Sequence, residues 1–159
     1  MSVDLEDLAR RVQVLEDIEA IKLLKAQYAD ACDRGYDANV LASLFAEDAI
    51  WDGGSFGRYE GREAIRAFFQ GVSSDITFAM HYMMNPIIAV DGDTATGKWH
   101  LFQTCTFAEG NQAIFGAARY DEEYRRIDGA WHFWRLALIS SFWTPYEEGW
   151  VKRPFVQEG

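Results

Sequence analysis

The hydrophobic spacing of this chain changes once, near Ser74, and that change limits the folds it can adopt. After Ser74 the residues alternate as in strands, and glycine-containing turns fall at 91–92, 109–111 and 128–129. Turns of this kind close antiparallel hairpins. The pattern therefore predicts one long-stranded meander, with strands at roughly 77–90, 94–107, 112–126 and 131–143.

The first half of the chain has helical spacing instead. Apolar residues recur every three or four positions from Leu5 to about Cys32, which predicts one long helix, or two in sequence, with a buried face. Asp37 is an N-cap for a short second helix, a short strand follows at 49–51, and a third helix begins near Glu60. The predicted fold is α+β, one domain over residues 1–159, with three N-terminal helices packed in a curved, mostly antiparallel sheet.

The overall charge excludes several classes of partner. A formal net charge of -10 and the absence of any Lys or Arg run would repel phosphate backbones and anionic lipids, so we expect neither nucleic acid nor membrane. The N-terminus lacks the basic-then-apolar pattern of a secretory signal, and Cys32 and Cys105 have no metal-binding or disulfide spacing. We expect a cytoplasmic protein with free thiols.

Several stretches resemble a known family. The run AEGNQAIFGAARYDEEYRRIDGAWHF, residues 108–133, is similar to the corresponding hairpin of hexachlorocyclohexane dehydrochlorinases. The run DTATGKWHLF, residues 93–102, and the helix LEDIEAIKLLKAQYADACD resemble bile-acid 7α-dehydratases, and scytalone dehydratases share the overall plan. The chain thus resembles the SnoaL-like branch of the NTF2-like superfamily. The resemblance implies a cone-shaped barrel, elimination without a metal or organic cofactor, and a homo-oligomer, with a trimer favoured.

The resemblance places three catalytic side chains on His81, Asp33 and Tyr28. An elimination needs a base that titrates near neutrality, and imidazole is such a group. A carboxylate bonded to the far ring nitrogen would fix the tautomer and stabilise the imidazolium, so Asp33 would orient His81. Tyr28 would donate a hydrogen bond to a leaving oxygen or a carbonyl. By residue type alone, the three also fit a strand histidine, a solvated acid and a core tyrosine.

Two positions depart from the pattern of these enzymes. The second acid of the bile-acid enzyme falls on Gln103. The arginine of the last strand falls near Ser140, or near Leu136 by comparison with the dehydrochlorinases, and Arg135 is a candidate replacement. The sequence therefore predicts elimination without identifying the leaving group.

Strand alternation extends the predicted pocket, because side chains two apart share a face. The resulting set is aromatic and weakly polar, and it suits an aromatic or polycyclic ligand. We predict a substrate-binding set of Trp51, Gln103, Cys105, Phe107, Tyr120, Leu138 and Ser140, and no metal site. The same face also fits a closed core. His100 and His132 are predicted to be surface or interface residues.

These observations favour a cofactor-independent lyase that acts on a small hydrophobic molecule with His81 as its base. Carbon–carbon cleavage with release of an aldehyde is a close variant, since the same base would deprotonate a hydroxyl group. One alternative is an isomerase of the ketosteroid type, and another is a non-catalytic binding or accessory protein. The segment 142–155 is expected to cross to a neighbouring subunit or to cap the cavity.

Overall fold

The computed structural model describes residues 4–156, which form four helices and one sheet. The helices are α1 Leu5–Asp33, α2 Ala38–Ser43, α3 Arg62–Asp75 and α4 Gly149–Lys152. The strands are β1 Phe45–Asp52, β2 Arg58–Glu60, β3 Ile76–Asp91, β4 Thr94–Phe107, β5 Gln112–Ile127 and β6 Ala130–Pro145. The first helix is continuous, and β2 and α4 are additions to the predicted elements.

The six strands form one curved sheet in the order β2-β1-β6-β5-β4-β3. Only β1 and β6 among the described strands run parallel, so the α+β class and the mostly antiparallel sheet are confirmed. The sheet contains register shifts that mark bulges, and bulges bend strands. One lies in β3 between Met84 and Ile87, and others lie in the pairing of β5 with β6. The sheet does not close into the predicted cone-shaped barrel, because β2 and β3 each have one neighbour.

The second half of α1 lies in the concave face of the sheet. Ile21, Leu24, Tyr28 and Cys32 are buried there at helical spacing. The prediction that the whole apolar face of this helix is buried is wrong for its first turns, where Leu5 is 75% and Leu15 63% exposed. The sheet covers only the part of the helix that runs across it. Within residues 4–156, no helix has the length and apolarity of a membrane span.

A buried carboxylate fixes the middle of α1 to the hairpin of β5 and β6. Asp17 accepts hydrogen bonds from Arg126 (2.6 and 3.1 Å), from the indole of Trp131 (3.1 Å) and from Gln13 (3.2 Å). Burial by itself raises the pKa of Asp17, but these hydrogen bonds outweigh it and hold the pKa below its ordinary value. The ionised carboxylate therefore stabilises the folded state.

Replacing Asp17 with asparagine should lower the free energy of unfolding by about 2 kcal/mol at pH 7, because Arg126, whose side chain is 21% exposed, loses its buried charged acceptor. Since the folded-state pKa lies below the unfolded one, this stabilisation is present above about pH 4 and is lost as the pH falls through the folded pKa. Urea unfolding of both proteins at pH 7 and in acid measures it, and the difference between them should shrink in acid.

Asp93→Asn is the matched control. Asp93 bonds the same guanidinium (2.8 Å) but its side chain is 79% exposed, so its loss should change stability by less than about 1 kcal/mol. Equal effects of the two substitutions would contradict the role assigned to Asp17.

Candidate active site

A cavity of about 460 Å³ opens between the concave face of the sheet, the end of α1, and α3. Ten aromatic side chains line it, among them Trp51, Phe69 and Trp143. Its lining residues include no Lys or Arg, whereas Asp75 and Glu109 both contribute to the wall. A cavity with this lining suits an uncharged aromatic molecule.

His81 and Asp33 meet beside this cavity. Asp33 is the last residue of α1, and its Oδ1 atom accepts hydrogen bonds from the His81 main-chain N–H (2.9 Å) and from ring Nδ1 (2.7 Å). The imidazole is 6% exposed and lines the cavity. Because the carboxylate holds the proton on Nδ1, the neutral ring has its lone pair on Nε2, where a general base needs it. The two residues thus have the geometry of a base and its orienting acid.

Two phenols of the cavity wall are neutral hydrogen-bond donors. Tyr28 accepts a hydrogen bond from the indole of Trp51 (3.1 Å), and Tyr120 lies edge-on to Tyr28, with ring centroids 6.4 Å apart. Burial is the main reason that the pKa values of Tyr28 and Tyr120 lie well above the ordinary value. Both hydroxyls therefore keep their protons at neutral pH, and both line the cavity.

Tyr36 also lines the cavity, although it is absent from the set predicted by the sequence. Its ring lies edge-on to the His81 imidazole at 6.0 Å and stacks on Phe69 at 6.3 Å. It follows Gly35 in a reversal in which both residues have positive φ, which is uncommon for a tyrosine. Tyr36 lies four residues after Cys32, which would place it on the same buried face if the helix continued. The helix ends at Asp33, so this spacing could not predict the position of Tyr36.

Most of the predicted pocket residues lie in the cavity wall. They are His81, Tyr28, Trp51, Gln103, Phe107, Tyr120 and Leu138. Cys105 is instead buried beside the cavity without lining it, and burial raises the pKa of its thiol to about 12. Ser140 also lies outside the wall, where its Oγ atom accepts a hydrogen bond from Trp143 (2.9 Å) and so positions that lining residue.

The remaining candidates do not reach the cavity. Arg135 is on the outer face of the sheet, half exposed and stacked on Trp134, so it does not replace the arginine of the related enzymes. His100 is exposed and bonds Asn85. Within residues 4–156, no group of three His, Cys, Asp or Glu side chains could hold a metal ion.

The C-terminal segment turns back on its own chain. The Trp143 main-chain N–H donates to Pro154 (2.8 Å), and the N–H of Val156 donates to Trp143 (2.8 Å). Trp143 is the single residue of the segment 142–155 that lines the cavity. The rest of the segment, up to residue 155, does not line the cavity, and its expected contact with a neighbouring subunit stays a prediction.

The chain is similar to known proteins over most of its length. The SnoaL-like domain family matches residues 13–137. The γ-hexachlorocyclohexane dehydrochlorinase of Sphingobium indicum is 30% identical over 144 residues, which are 89% of this chain and 87% of that protein. The crystal structure of hexachlorocyclohexane dehydrochlorinase LinA-type3 from Novosphingobium barchaimii is 30% identical, with a TM-score of 0.73, and the match covers 90% of this chain and 94% of the other. An NTF2-like protein with a cystatin-like fold from Novosphingobium aromaticivorans is 28% identical, with a TM-score of 0.69, and the match covers 89% and 92% of the two chains.

The contact between Asp33 and His81 predicts a defined tautomer. Long-range ¹H–¹⁵N NMR spectra should show the neutral His81 ring protonated at Nδ1, and Asp33→Ala should shift the population toward the Nε2-protonated form because the acceptor is lost. His132, whose Nδ1 atom lies 3.1 Å from a main-chain carbonyl of its own strand, is the internal control and should not change. An unchanged His81 tautomer in Asp33→Ala would show that Asp33 does not orient the ring.

Proposed function

The chain belongs to the SnoaL-like domain family, and from that premise we propose that it is a lyase that eliminates a small group from a hydrophobic ring compound without a metal or organic cofactor. The dehydrochlorinase relatives support elimination chemistry. The observation that carries the proposal is the imidazole of His81, held by Asp33 at the wall of an aromatic cavity. This is the arrangement that proton abstraction from carbon requires.

The proposed reaction uses His81 as the base. Nε2 takes a proton from the carbon next to the one that bears the leaving group, the C–H electrons form the double bond, and the leaving group departs with its bonding electrons. Asp33 stabilises the imidazolium that forms. If the leaving group is hydroxide, the imidazolium returns the proton to it and water is released. The neutral phenols of Tyr28 and Tyr120 would donate hydrogen bonds to a carbonyl or leaving oxygen.

The cavity favours an uncharged substrate. None of its lining residues is a Lys or Arg that would pair with a carboxylate or phosphate, and the net charge of -10 adds to the repulsion of anions. The aromatic wall favours a planar or polycyclic skeleton. We therefore propose an alcohol or halide whose leaving group is on a saturated carbon of an aromatic-fused or polycyclic skeleton. If the base instead takes the proton of a hydroxyl group, the O–H electrons form the C=O bond of an aldehyde and the adjacent C–C bond breaks. The electrons of that bond go to the ring fragment, which takes the proton back from the imidazolium.

His81→Gln should reduce kcat/KM about 100- to 10,000-fold, because the general base is lost while the size of the side chain is kept. The assay follows dehydration of a panel of bicyclic benzylic alcohols and chloride release from γ-hexachlorocyclohexane, the compound in the name of one relative. His100→Gln is the matched control, because His100 is exposed on the face of β4 that points away from the cavity. This variant should be as active as the wild type. Binding of these compounds without turnover by the wild type would favour a binding protein instead.

We propose the cytoplasm as the compartment, because both cysteines are free. Cys32 and Cys105 are buried, and burial raises the pKa of both thiols, so they are unreactive in a reducing environment.

We also propose that the protein is a homo-oligomer, with a trimer favoured. A band of aromatic side chains crosses the outer face of the sheet, with centroid distances of 6.4 Å from Tyr82 to Phe102, 5.9 Å from Phe102 to Phe115 and 5.2 Å from Phe115 to Tyr146. Tyr82 and Tyr146 are exposed. A contiguous apolar patch of this kind on a soluble domain is typical of an interface, and a second copy of the sheet is the partner whose shape fits it.

Sedimentation analysis at micromolar concentration should give a mass of about three times the 18.2 kDa chain. Tyr82→Glu should dissociate the assembly, because it would bury an unpaired charge. Leu15→Glu is the control, since Leu15 is an apolar residue on α1, away from the sheet, that is more exposed (63%) than Tyr82 (46%), and it should leave the mass unchanged. A monomeric wild type would refute the proposal.

A further inference from the structure

An ion pair lies in the core directly behind the cavity. Lys25 of α1 bonds Glu122 of β5, and their side chains are 1% and 0% exposed. The other Glu122 oxygen accepts a hydrogen bond from Tyr124, whose hydroxyl in turn accepts one from the Trp99 indole (3.0 Å). The carboxylate is thus fixed from both sides. The mechanism proposed above does not use this network.

The ammonium group of Lys25 lies against the rings of the cavity wall. Its Nζ atom is 3.3 Å from the centroid of Tyr120 and 4.8 Å from that of Tyr28. Both rings line the cavity, whereas Lys25 does not. A ligand in the cavity would therefore meet the phenols and never the cation.

Stability alone does not account for this pair. Removing two charges from water is so costly that a buried ion pair is often no more stabilising than two apolar residues of similar volume. Burial lowers the pKa of Lys25, and the charge of Glu122 and its hydrogen bond oppose that fall. Glu122 therefore opposes the loss of the Lys25 proton that burial favours.

We infer that Lys25 is a positioning residue of the cavity, whose ammonium group makes the Tyr120 hydroxyl a stronger hydrogen-bond donor toward an oxygen atom of the ligand. A cation on the face of a phenol draws electron density from the ring and polarises its O–H bond. In the dry interior this effect is strong, because little solvent screens it. Glu122 sets the position of the ammonium group, and its carboxylate oxygens accept hydrogen bonds from Lys25 and Tyr124.

This inference rests on the proposed function only in that a ligand occupies the cavity beside Tyr120. It requires no turnover.

A binding experiment with two matched probes tests the role of Lys25. The probes are 1-tetralone, a bicyclic ketone with one acceptor oxygen, and tetralin, the same skeleton without the oxygen. The variant Lys25→Met/Glu122→Gln removes both charges and keeps an acceptor for Tyr124.

Calorimetry should show that the double substitution weakens 1-tetralone binding about fivefold and leaves tetralin binding unchanged. In a Tyr120→Phe background, the same substitution should have no effect on 1-tetralone, because the hydroxyl through which the cation acts is missing. Equal losses for both probes, an equal loss in the Tyr120→Phe background, or no binding of 1-tetralone by the wild type would overturn the inference. If the effect is present while His81→Gln leaves turnover intact, the proposed function alone fails.

The charge state of Lys25 can also be measured in the wild type, whether or not the double variant folds. The ¹⁵N chemical shift of Lys25 Nζ at pH 7 distinguishes an ammonium group from a neutral amine. We expect the ammonium form, and a neutral amine would overturn the inference.

Discussion

The site depends on how α1 is held across the concave face of the sheet. Three polar contacts do this, and they are spaced eight residues apart: Asp17 with Arg126, Lys25 with Glu122, and Asp33 with His81. Eight residues are about 12 Å of helix and about 2.2 turns, so each contact is rotated by about 80° around the helix axis from the one before it. The first two contacts reach β5 and the third reaches β3. Such charged and hydrogen-bonded contacts are directional, and they fix the position of the helix along the sheet more narrowly than apolar packing alone would.

The cavity exists because large rings are stacked against small residues. At Gly116, a Cβ atom would lie 2.3 Å from the ring of Trp143, so only glycine lets that indole lie across β5 and form part of the wall. Trp143 is held there by Ser140 and packs edge-on to Phe56, 5.2 Å away. Rigid aromatic walls leave a space that flexible side chains would fill.

Much of the fold was predictable, because long strands and hairpin turns carry strong local signals. The predicted bounds of β4, residues 94–107, coincide with the strand Thr94–Phe107. Strand β2 was missed because three residues are too short to show alternation. Strand alternation correctly places Arg135 and His100 on the outer face of the sheet. It also explains why Arg135 cannot replace an arginine that falls on Leu136 in the related enzymes, since a shift of one residue moves a side chain to the other face.

The α+β class, the meander and the aromatic, weakly polar character of the inner face follow from the amino-acid sequence alone, because periodicity and residue type are local properties. It also placed His81 and Asp33 together through a family resemblance. Three features required the folded chain: the Asp33 carboxylate reaches the ring nitrogen, Tyr36 lines the cavity while Cys105 does not, and Lys25 lies behind Tyr120. These contacts join residues far apart in sequence, and their distances depend on how a helix end, a bulged strand and a curved sheet pack together.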